Sequence, residues 1–386
     1  MMSAAAQTPK RVPAEQGSDP ARSPVFLDLP LTDLSKEIRT RLAAFRFPSW
    51  LGSFGFCESY TRPPTQRLAC LSDASGEIKE VIFYNERKWA GVFRQMEIVG
   101  PVVPESCLLH RLCSVRHPDL LTLSLQLTSD FPERVDNWRL LEVRRTAEDY
   151  RIDLPATCAE YLQQLGKQTR KHLPYYLRRI RREWPGRYDI RAAVSDEISW
   201  ECFTRVLELN DRRMRTKARL GLWTLGLAKH RWPLFQKSGL LVSLHLGDEV
   251  VGGALCVLHC NEAFLVVIAH APQFDRFNIG NVCLWQTIEH LIGIGCSAFH
   301  LLWGVSFYKT QFGGNLNSIY RITYGFNPRA TAAWRLSQLL KLDEAASLAQ
   351  RIRARTAGYG AFAREFLAKK NKGALKRVVL ANDFRR

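Results

Sequence analysis

The sequence lacks the patterns that define several large classes of protein. It has ten cysteines but no CxxC motif, and no cysteine–histidine group with the spacing of a zinc site. Its longest apolar stretches, 250–258 and 263–269, fall well short of the roughly 18–20 residues that span a bilayer. No GxSxG motif occurs and no cysteine has an obvious base partner, so we expect no covalent enzyme intermediate.

The N-terminal segment also lacks the marks of a folded or exported segment. Residues 1–24 contain no aromatic residue and no continuous apolar core of a signal peptide. We therefore expect a disordered tail and no export. Several cysteines lie in apolar runs, as Cys256 does, which favours reduced, buried thiols over a disulfide framework. These features predict a cytoplasmic protein.

Acidic residues are few relative to basic ones. The 386 residues include 55 Lys and Arg against 37 Asp and Glu, a formal net charge of +18, within an ordinary globular composition. Two segments carry most of this excess: 167–191 has a net charge of +7 and 350–386 of +9. Such concentration favours an anionic partner, namely RNA, an anionic membrane or a phosphorylated ligand, although a basic helix face is often only a solvated surface.

The order of apolar patterns predicts two α/β units with a mixed sheet, an α+β arrangement. In the first unit we predict helices over 31–45 and 106–116 and strands over 78–84, 89–99, 120–127 and 138–143. A helix over about 154–184 follows, with a kink or break at Pro174. In the second unit we predict helices over 199–215, 281–294 and 334–359, a short helix or turn over 307–312, and strands over 240–246, 250–260, 264–270, 298–303 and 319–326.

One stretch of the second unit has the pattern of an anion site. Three antiparallel strands precede a polar loop, a helix that begins near Asn281, and a strand that pairs in parallel through this helical crossover. A helix start offers free N–H groups and the positive end of the helix dipole, which suits a pyrophosphate. Gly280 permits close approach to the backbone, and Arg276 adds a positive charge.

The runs FDRFNIGNVCLWQTIEHLIGIGC, FHLLWGVSFYKTQFGG and KQTRKHLPYYLRRIRRE resemble the second domain of the CelD/BcsL-type acyltransferases. These belong to the GNAT superfamily and are related to the FemABX aminoacyltransferases. The resemblance implies two GNAT-like domains in tandem, a degenerate one over 25–155 and an acyltransferase domain over 156–328, followed by a basic helical extension over 329–386. It also implies acetyl-CoA or another acyl-CoA as donor, direct attack by an amine or hydroxyl acceptor, and an acceptor from polysaccharide or cell-envelope metabolism.

Within that resemblance, we assign candidate residues to three roles. The donor would contact Arg276, Ile279, Gly280 and Asn281. His270 is a candidate general base, since imidazole titrates near neutrality, and Tyr308 and Lys309 are candidates for an acid and an anion contact. The acceptor cleft would include Asn210, Asp211, Arg213 and Asp275. For each residue a structural role is the competing interpretation: a strand-end histidine, a packed tyrosine, or a solvated helix terminus.

Two other functions stay open at this point. One is a FemABX-like transferase that uses aminoacyl-tRNA, which the basic helix and the single glycine at 280 favour. The other is a non-catalytic GNAT-like protein that serves as a binding module or scaffold. We predict no metal site, and the oligomeric state stays open.

Overall fold

The computed structural model describes residues 24–47, 49–53, 55–56, 66–89, 93–102, 106–126, 131–135, 137–216, 223–304 and 306–339. The predicted tail, except for its last residue, and the second basic segment, 350–386, lie outside the described residues. The chain divides into two compact units, Met1–Gln126 and Leu127–Arg386. The boundary predicted from the sequence, at residue 155, falls two strands later than this division.

In the first unit the described strands and helices are β1 (Val25–Pro30), α1 (Lys36–Ala44), β2 (Gln66–Ser72), β3 (Ile78–Trp89), β4 (Phe93–Val99), α2 (Cys107–Arg116) and β5 (Leu120–Gln126). Both helices begin at a serine cap. Ser35 accepts a hydrogen bond from the Ile38 N–H, and Ser106 accepts one from the Leu109 N–H.

In the second unit they are β6 (Arg134–Val135), β7 (Trp138–Asp153), α3 (Cys158–Gln164), α4 (Lys167–Glu183), β8 (Tyr188–Val194), α5 (Trp200–Thr216), α6 (Ala228–Ser238), β9 (Gly239–Leu246), β10 (Glu249–His259), β11 (Glu262–His270), α7 (Ile279–Gly293), β12 (Ala298–His300), α8 (Phe307–Gln311), β13 (Asn315–Gly325) and α9 (Pro328–Leu339). A 3₁₀ helix, Pro272–Phe277, joins β11 to α7.

The two units repeat one order of strands. In the first, β1 to β4 pair antiparallel in succession and β4 pairs in parallel with β5. In the second, β8 to β11 pair antiparallel in succession and β11 pairs in parallel with β12. A helix, α2 or α7, lies between the two parallel strands in each case, as parallel pairing requires. The repetition confirms the predicted mixed sheets in tandem.

Strand β7 is longer than the predicted 138–143 and belongs to the second unit. It pairs antiparallel with β12 and with β13. Its sequence, WRLLEVRRTAEDYRID, is strongly polar, so the hydrophobic pattern marks only its beginning. The pairing with β12 and β13 explains why the unit boundary precedes residue 155.

The long basic helix divides at a different point from the predicted one. α3 ends where Leu165 takes an extended conformation, and α4 begins after Gly166. Pro174 lies inside α4 and does not divide it. The break permits Tyr161 of α3 to stack on Trp285 of α7, with ring centroids 5.9 Å apart.

Helices cover both faces of the strands of the second unit around two adjacent glycines of β10. A Cβ on Gly252 would lie 2.5 Å from Cγ2 of Ile279 in α7, and one on Gly253 would lie 2.6 Å from Cγ2 of Val206 in α5. Successive strand residues point to opposite faces, so α7 and α5 approach β10 from opposite sides. The start of α7 is thereby held close against the sheet.

In the described part of the chain, no helix is both long and apolar enough to cross a membrane.

Candidate active site

Strands β11 and β12 separate soon after they pair. Their parallel register covers only Glu262–Phe264 against Ala298–His300. β11 continues to His270, whereas the chain after His300 leaves the sheet, so the strand predicted over 298–303 is shorter than expected. A bulge in the pairing of β11 with β10, at Leu255/Cys256, accompanies the separation. The result is a gap beside the second half of β11.

The first turn of α7 offers unpaired amide groups next to this gap. Asn278 caps the helix in the left-handed region, with φ of 52°. Its carbonyl accepts hydrogen bonds from the N–H groups of both Asn281 and Val282. The N–H groups of Ile279 and Gly280 have no acceptor among the described residues. The Ile279 side chain is fully buried, so only its backbone can face a ligand. These donors and the helix dipole favour an anion.

His270 lies directly against this helix start. A Cβ on Gly280 would be 3.3 Å from His270 Nδ1, so the imidazole occupies the space above the glycine. His270 Nε2 lies 2.7 Å from Oδ1 of Asp275. The structure thus brings His270, Asp275 and Gly280 together at one end of the gap, with Nδ1 as the ring nitrogen that is not bonded to Asp275.

Two guanidinium groups converge on the loop before α7. Arg179 of α4 donates to the carbonyl of Arg276 at 2.9 Å. The two guanidinium carbons lie 5.0 Å and 4.7 Å from the ring centroid of the buried Phe277. Trp184 packs on the same ring, with centroids 4.3 Å apart. The basic helix therefore contributes a positive charge to the α7 start, alongside the predicted Arg276.

The predicted acceptor residues of α5 separate into two groups. Arg213 donates to the Ile268 carbonyl of β11 at 2.8 Å, which places it at the gap. Asn210, which is buried, donates to the Trp223 carbonyl, and the carboxylate of Asp211 accepts from the Leu225 N–H. Burial raises the pKa of Asp211. These two residues hold the chain around 223–225 in place.

Tyr308 and Lys309 are neighbours in sequence but have different surroundings. Burial raises the pKa of the Tyr308 phenol, and the Arg213 charge opposes that rise, so the two side chains lie within electrostatic reach. Lys309 is 3% exposed, and its Nζ donates to the carbonyls of Leu302 at 2.7 Å and Trp303 at 3.0 Å. Burial lowers its pKa to about 8. The ammonium is therefore bonded to backbone.

A buried charge network that sequence reasoning missed adjoins Lys309. His300 Nδ1 lies 2.5 Å from Oδ2 of Asp149, whose Oδ1 accepts from the Leu302 N–H at 3.0 Å. The imidazole stacks on Phe264, with ring centroids 4.4 Å apart. Burial opposes the charge on His300, but the carboxylates of Asp149 and Glu262 outweigh it and raise its pKa to about 9.

This network predicts a pH-dependent stability. Because the pKa of His300 is higher in the folded chain than its ordinary value of 6.5, its contribution is complete below pH 6.5 and is lost as pH rises through 9. Between pH 6.5 and 8 we expect a loss of about 1–2 kcal/mol in unfolding free energy relative to His300→Gln. The pKa of Lys309 is lowered in the folded chain, so its contribution to the unfolding free energy increases as pH rises above 8. Urea unfolding of both proteins at several pH values measures the difference, and parallel curves would contradict the assigned ion pair.

Comparison with known proteins agrees with this geometry. Residues 167–310 match the family model of the Acetyltransferase (GNAT) domain. The fold is similar to that of FemX, with a TM-score of 0.56 at 8% identity over 79% of this chain and 97% of that one. It is also similar to a conserved protein of unknown function from Bacteroides thetaiotaomicron, with a TM-score of 0.50 at 14% identity over 78% and 100%. No curated protein matches the sequence.

The match over residues 167–310, together with the splayed strands and the helix that follows β11, shows a GNAT fold in the second unit. The second unit carries the GNAT domain, and the fold of the chain as a whole is shared with FemX. The resemblance to the CelD/BcsL type stays a prediction. Among the described residues, no group of three His, Cys, Asp or Glu side chains is arranged to hold a metal ion.

Proposed function

We propose that the second unit transfers an acyl group, most simply acetyl, from acyl-CoA to an amine or hydroxyl acceptor. The observation that carries the proposal is the α7 start. Two unpaired N–H groups, the glycine at 280 and the guanidinium groups of Arg179 and Arg276 converge there, beside the gap between β11 and β12. This donor set fits a pyrophosphate, and the gap is positioned for the pantetheine arm.

The reaction needs no covalent enzyme intermediate. The acceptor nitrogen or oxygen forms a bond to the thioester carbonyl carbon, the carbon–sulfur bond breaks, and the thiolate leaves as CoA. A base takes the proton of the acceptor, and the unpaired side of β11 offers backbone N–H groups for the carbonyl oxygen. Asp275 fixes the His270 ring and Nδ1 faces Gly280, so His270 lies at the phosphate end of the gap and would contact the pyrophosphate. Tyr308 is the candidate acid for the thiolate.

The test is calorimetric titration of nucleic-acid-free protein with acetyl-CoA and with CoA. We expect micromolar binding of both, since both carry the pyrophosphate. Absence of binding to either would overturn the proposed donor. With binding established, candidate amines and hydroxyl compounds of polysaccharide and cell-envelope chemistry are screened for release of free CoA thiol.

The nine cysteines of the described residues are all free, which supports a reducing, cytoplasmic location.

A second candidate function rests on the basic face of α4. Six exposed cations lie within one face over about 22 Å of helix, while Leu173 and Ile180 are buried opposite: Lys167, Arg170, Lys171, Arg178, Arg181 and Arg182. Like charges four residues apart destabilise a helix, and cations at its N-terminus oppose the dipole. The stripe therefore weakens the isolated helix and supports an anionic partner. RNA is the partner expected if the donor is an aminoacyl-tRNA.

This candidate predicts salt-dependent RNA binding. With total tRNA as the probe, a plot of log affinity against log salt should have a slope of about −3.5 to −4.2 if five or six phosphates are contacted, at about −0.7 for each. Lys171→Gln with Arg178→Gln should reduce the magnitude of the slope by about 1.4. The control, Lys229→Gln with Lys237→Gln, changes two exposed lysines of α6 and should leave the slope unchanged. Equal effects of both pairs would exclude the stripe as the contact surface.

A further inference from the structure

The turn that follows β12 has a strained residue at its centre. Leu302 has a φ of +50°, in the left-handed region that aliphatic residues rarely occupy, and its side chain is 5% exposed. Nothing in a leucine side chain can hydrogen-bond locally to favour this conformation, as asparagine does. The surroundings must therefore impose it, and such positions are concentrated at functional sites.

Charged side chains hold the backbone on both sides of Leu302. Its N–H donates to Oδ1 of Asp149, and its carbonyl accepts from Nζ of Lys309. Lys309 also bonds the carbonyl of Trp303, and His300 fixes the other carboxylate oxygen of Asp149. Charged partners make stronger hydrogen bonds than neutral ones, so this clamp restricts the turn more than ordinary backbone pairing does.

Holding the turn with buried charges costs free energy. Asp149 is 2% exposed and Lys309 is 3% exposed, and buried charges carry a desolvation penalty that apolar replacements avoid. Stability alone does not account for two buried charges that enforce an unfavourable φ. Their arrangement is explained if the shape of the turn matters for a ligand.

The turn lies where the ligand gap opens. β12 ends at His300, and the N–H of Leu301 makes one more hydrogen bond to β7, to the Tyr150 carbonyl, before the chain turns away. On the other side of the gap, β11 continues through Ile268, whose carbonyl accepts a hydrogen bond from Arg213. The residues after β12 thus face the portion of β11 that has lost its parallel partner.

We propose that Asp149 and Lys309 are positioning residues: through Leu302 they hold the 301–304 turn as the wall of the gap that receives the reacting end of the ligand. The inference rests on the proposed acyltransferase function and deepens it. It assigns the α7 start to the phosphate end of the donor and the clamped turn to the acyl end. Lys309 then acts through the backbone, in place of the anion contact that the sequence analysis assigned to it.

The test compares Lys309→Met, Asp149→Asn and Leu302→Gly with the unaltered full-length chain. We expect acetyl-CoA affinity to fall at least about tenfold in Lys309→Met, while CoA affinity stays within about twofold. Amide hydrogen exchange over 301–306 should accelerate in Lys309→Met and Asp149→Asn. Leu302→Gly removes a buried side chain and should therefore lower the melting temperature, and it should also lose the preference for the acetyl group because glycine does not hold the turn.

Each part of the proposal can fail separately. A parallel loss of acetyl-CoA and CoA affinity would mark a general structural effect and overturn the positioning role. Unchanged exchange in both charge variants would overturn the clamp. If the unaltered protein bound neither acetyl-CoA nor CoA, the acyl-CoA function would fail, whereas the exchange result would still decide whether the charges hold the turn.

Discussion

Gly280→Glu is expected to abolish binding of acetyl-CoA and CoA, with an affinity loss of about 100-fold or more. The new side chain starts 3.3 Å from His270 Nδ1 and brings a carboxylate to the unpaired N–H groups of Ile279 and Gly280. There it occupies the anion position itself and repels the pyrophosphate. Calorimetric titration of the variant and the unaltered protein, side by side, measures the loss.

The same substitution should not unfold the chain. A carboxylate in the first turn of a helix interacts favourably with the dipole, by about 0.3–1 kcal/mol. Gly280→Ala is the matched control, because it adds the same Cβ next to His270 without the charge. We expect it to change donor affinity by only a fewfold. Undiminished donor affinity in Gly280→Glu would disprove the α7 start as the phosphate site. An equal loss of affinity in Gly280→Ala would show that the added side-chain volume, and not the charge, causes the effect.

The second large effect is expected at the glycine pair of β10, where Gly253→Val should destabilise the fold by about 3 kcal/mol. A Cβ at 253 meets Val206 Cγ2 at 2.6 Å and the Val242 carbonyl oxygen at 3.0 Å. The carbonyl belongs to the neighbouring strand and cannot give way without disturbing the sheet, and Val206 is fully buried in α5. Chemical denaturation monitored by circular dichroism measures the change in unfolding free energy.

The control for this prediction is Gly293→Val. A Cβ at Gly293, the last residue of α7, meets nothing within 4 Å, so overpacking is absent there. We expect its unfolding free energy to stay within about 0.5 kcal/mol of the unaltered protein. Comparable destabilisation by both substitutions would show that the close approach of α5 to β10 does not limit the side chain at 253.

Much of the second unit was predictable because its signals are local. Periodicity and turn residues predicted β9, β10, β11 and α7 to within two residues, and the change from apolar strands to a glycine at a helix start marked the helix start proposed here as the anion site. The basic face of α4 was equally visible, since charge at helical spacing is a property of the segment itself. Arg179 lay within that run, although its place at the α7 start did not follow from it.

The sequence by itself therefore determined the order of elements from β9 to α7 and the helix start that suits a phosphate, whereas β1, β2, β8 and α6 were not predicted. Only the tertiary structure decided where the strands separate, since β12 ends at His300 although the apolar pattern continues to Trp303. It also decided the role of Lys309 and the pairing of Asp149 with His300, which are 151 residues apart in the chain. Contacts of that separation depend on the packing of the whole sheet, and a lone Asp, His or Lys in the sequence carries no mark of its eventual partner.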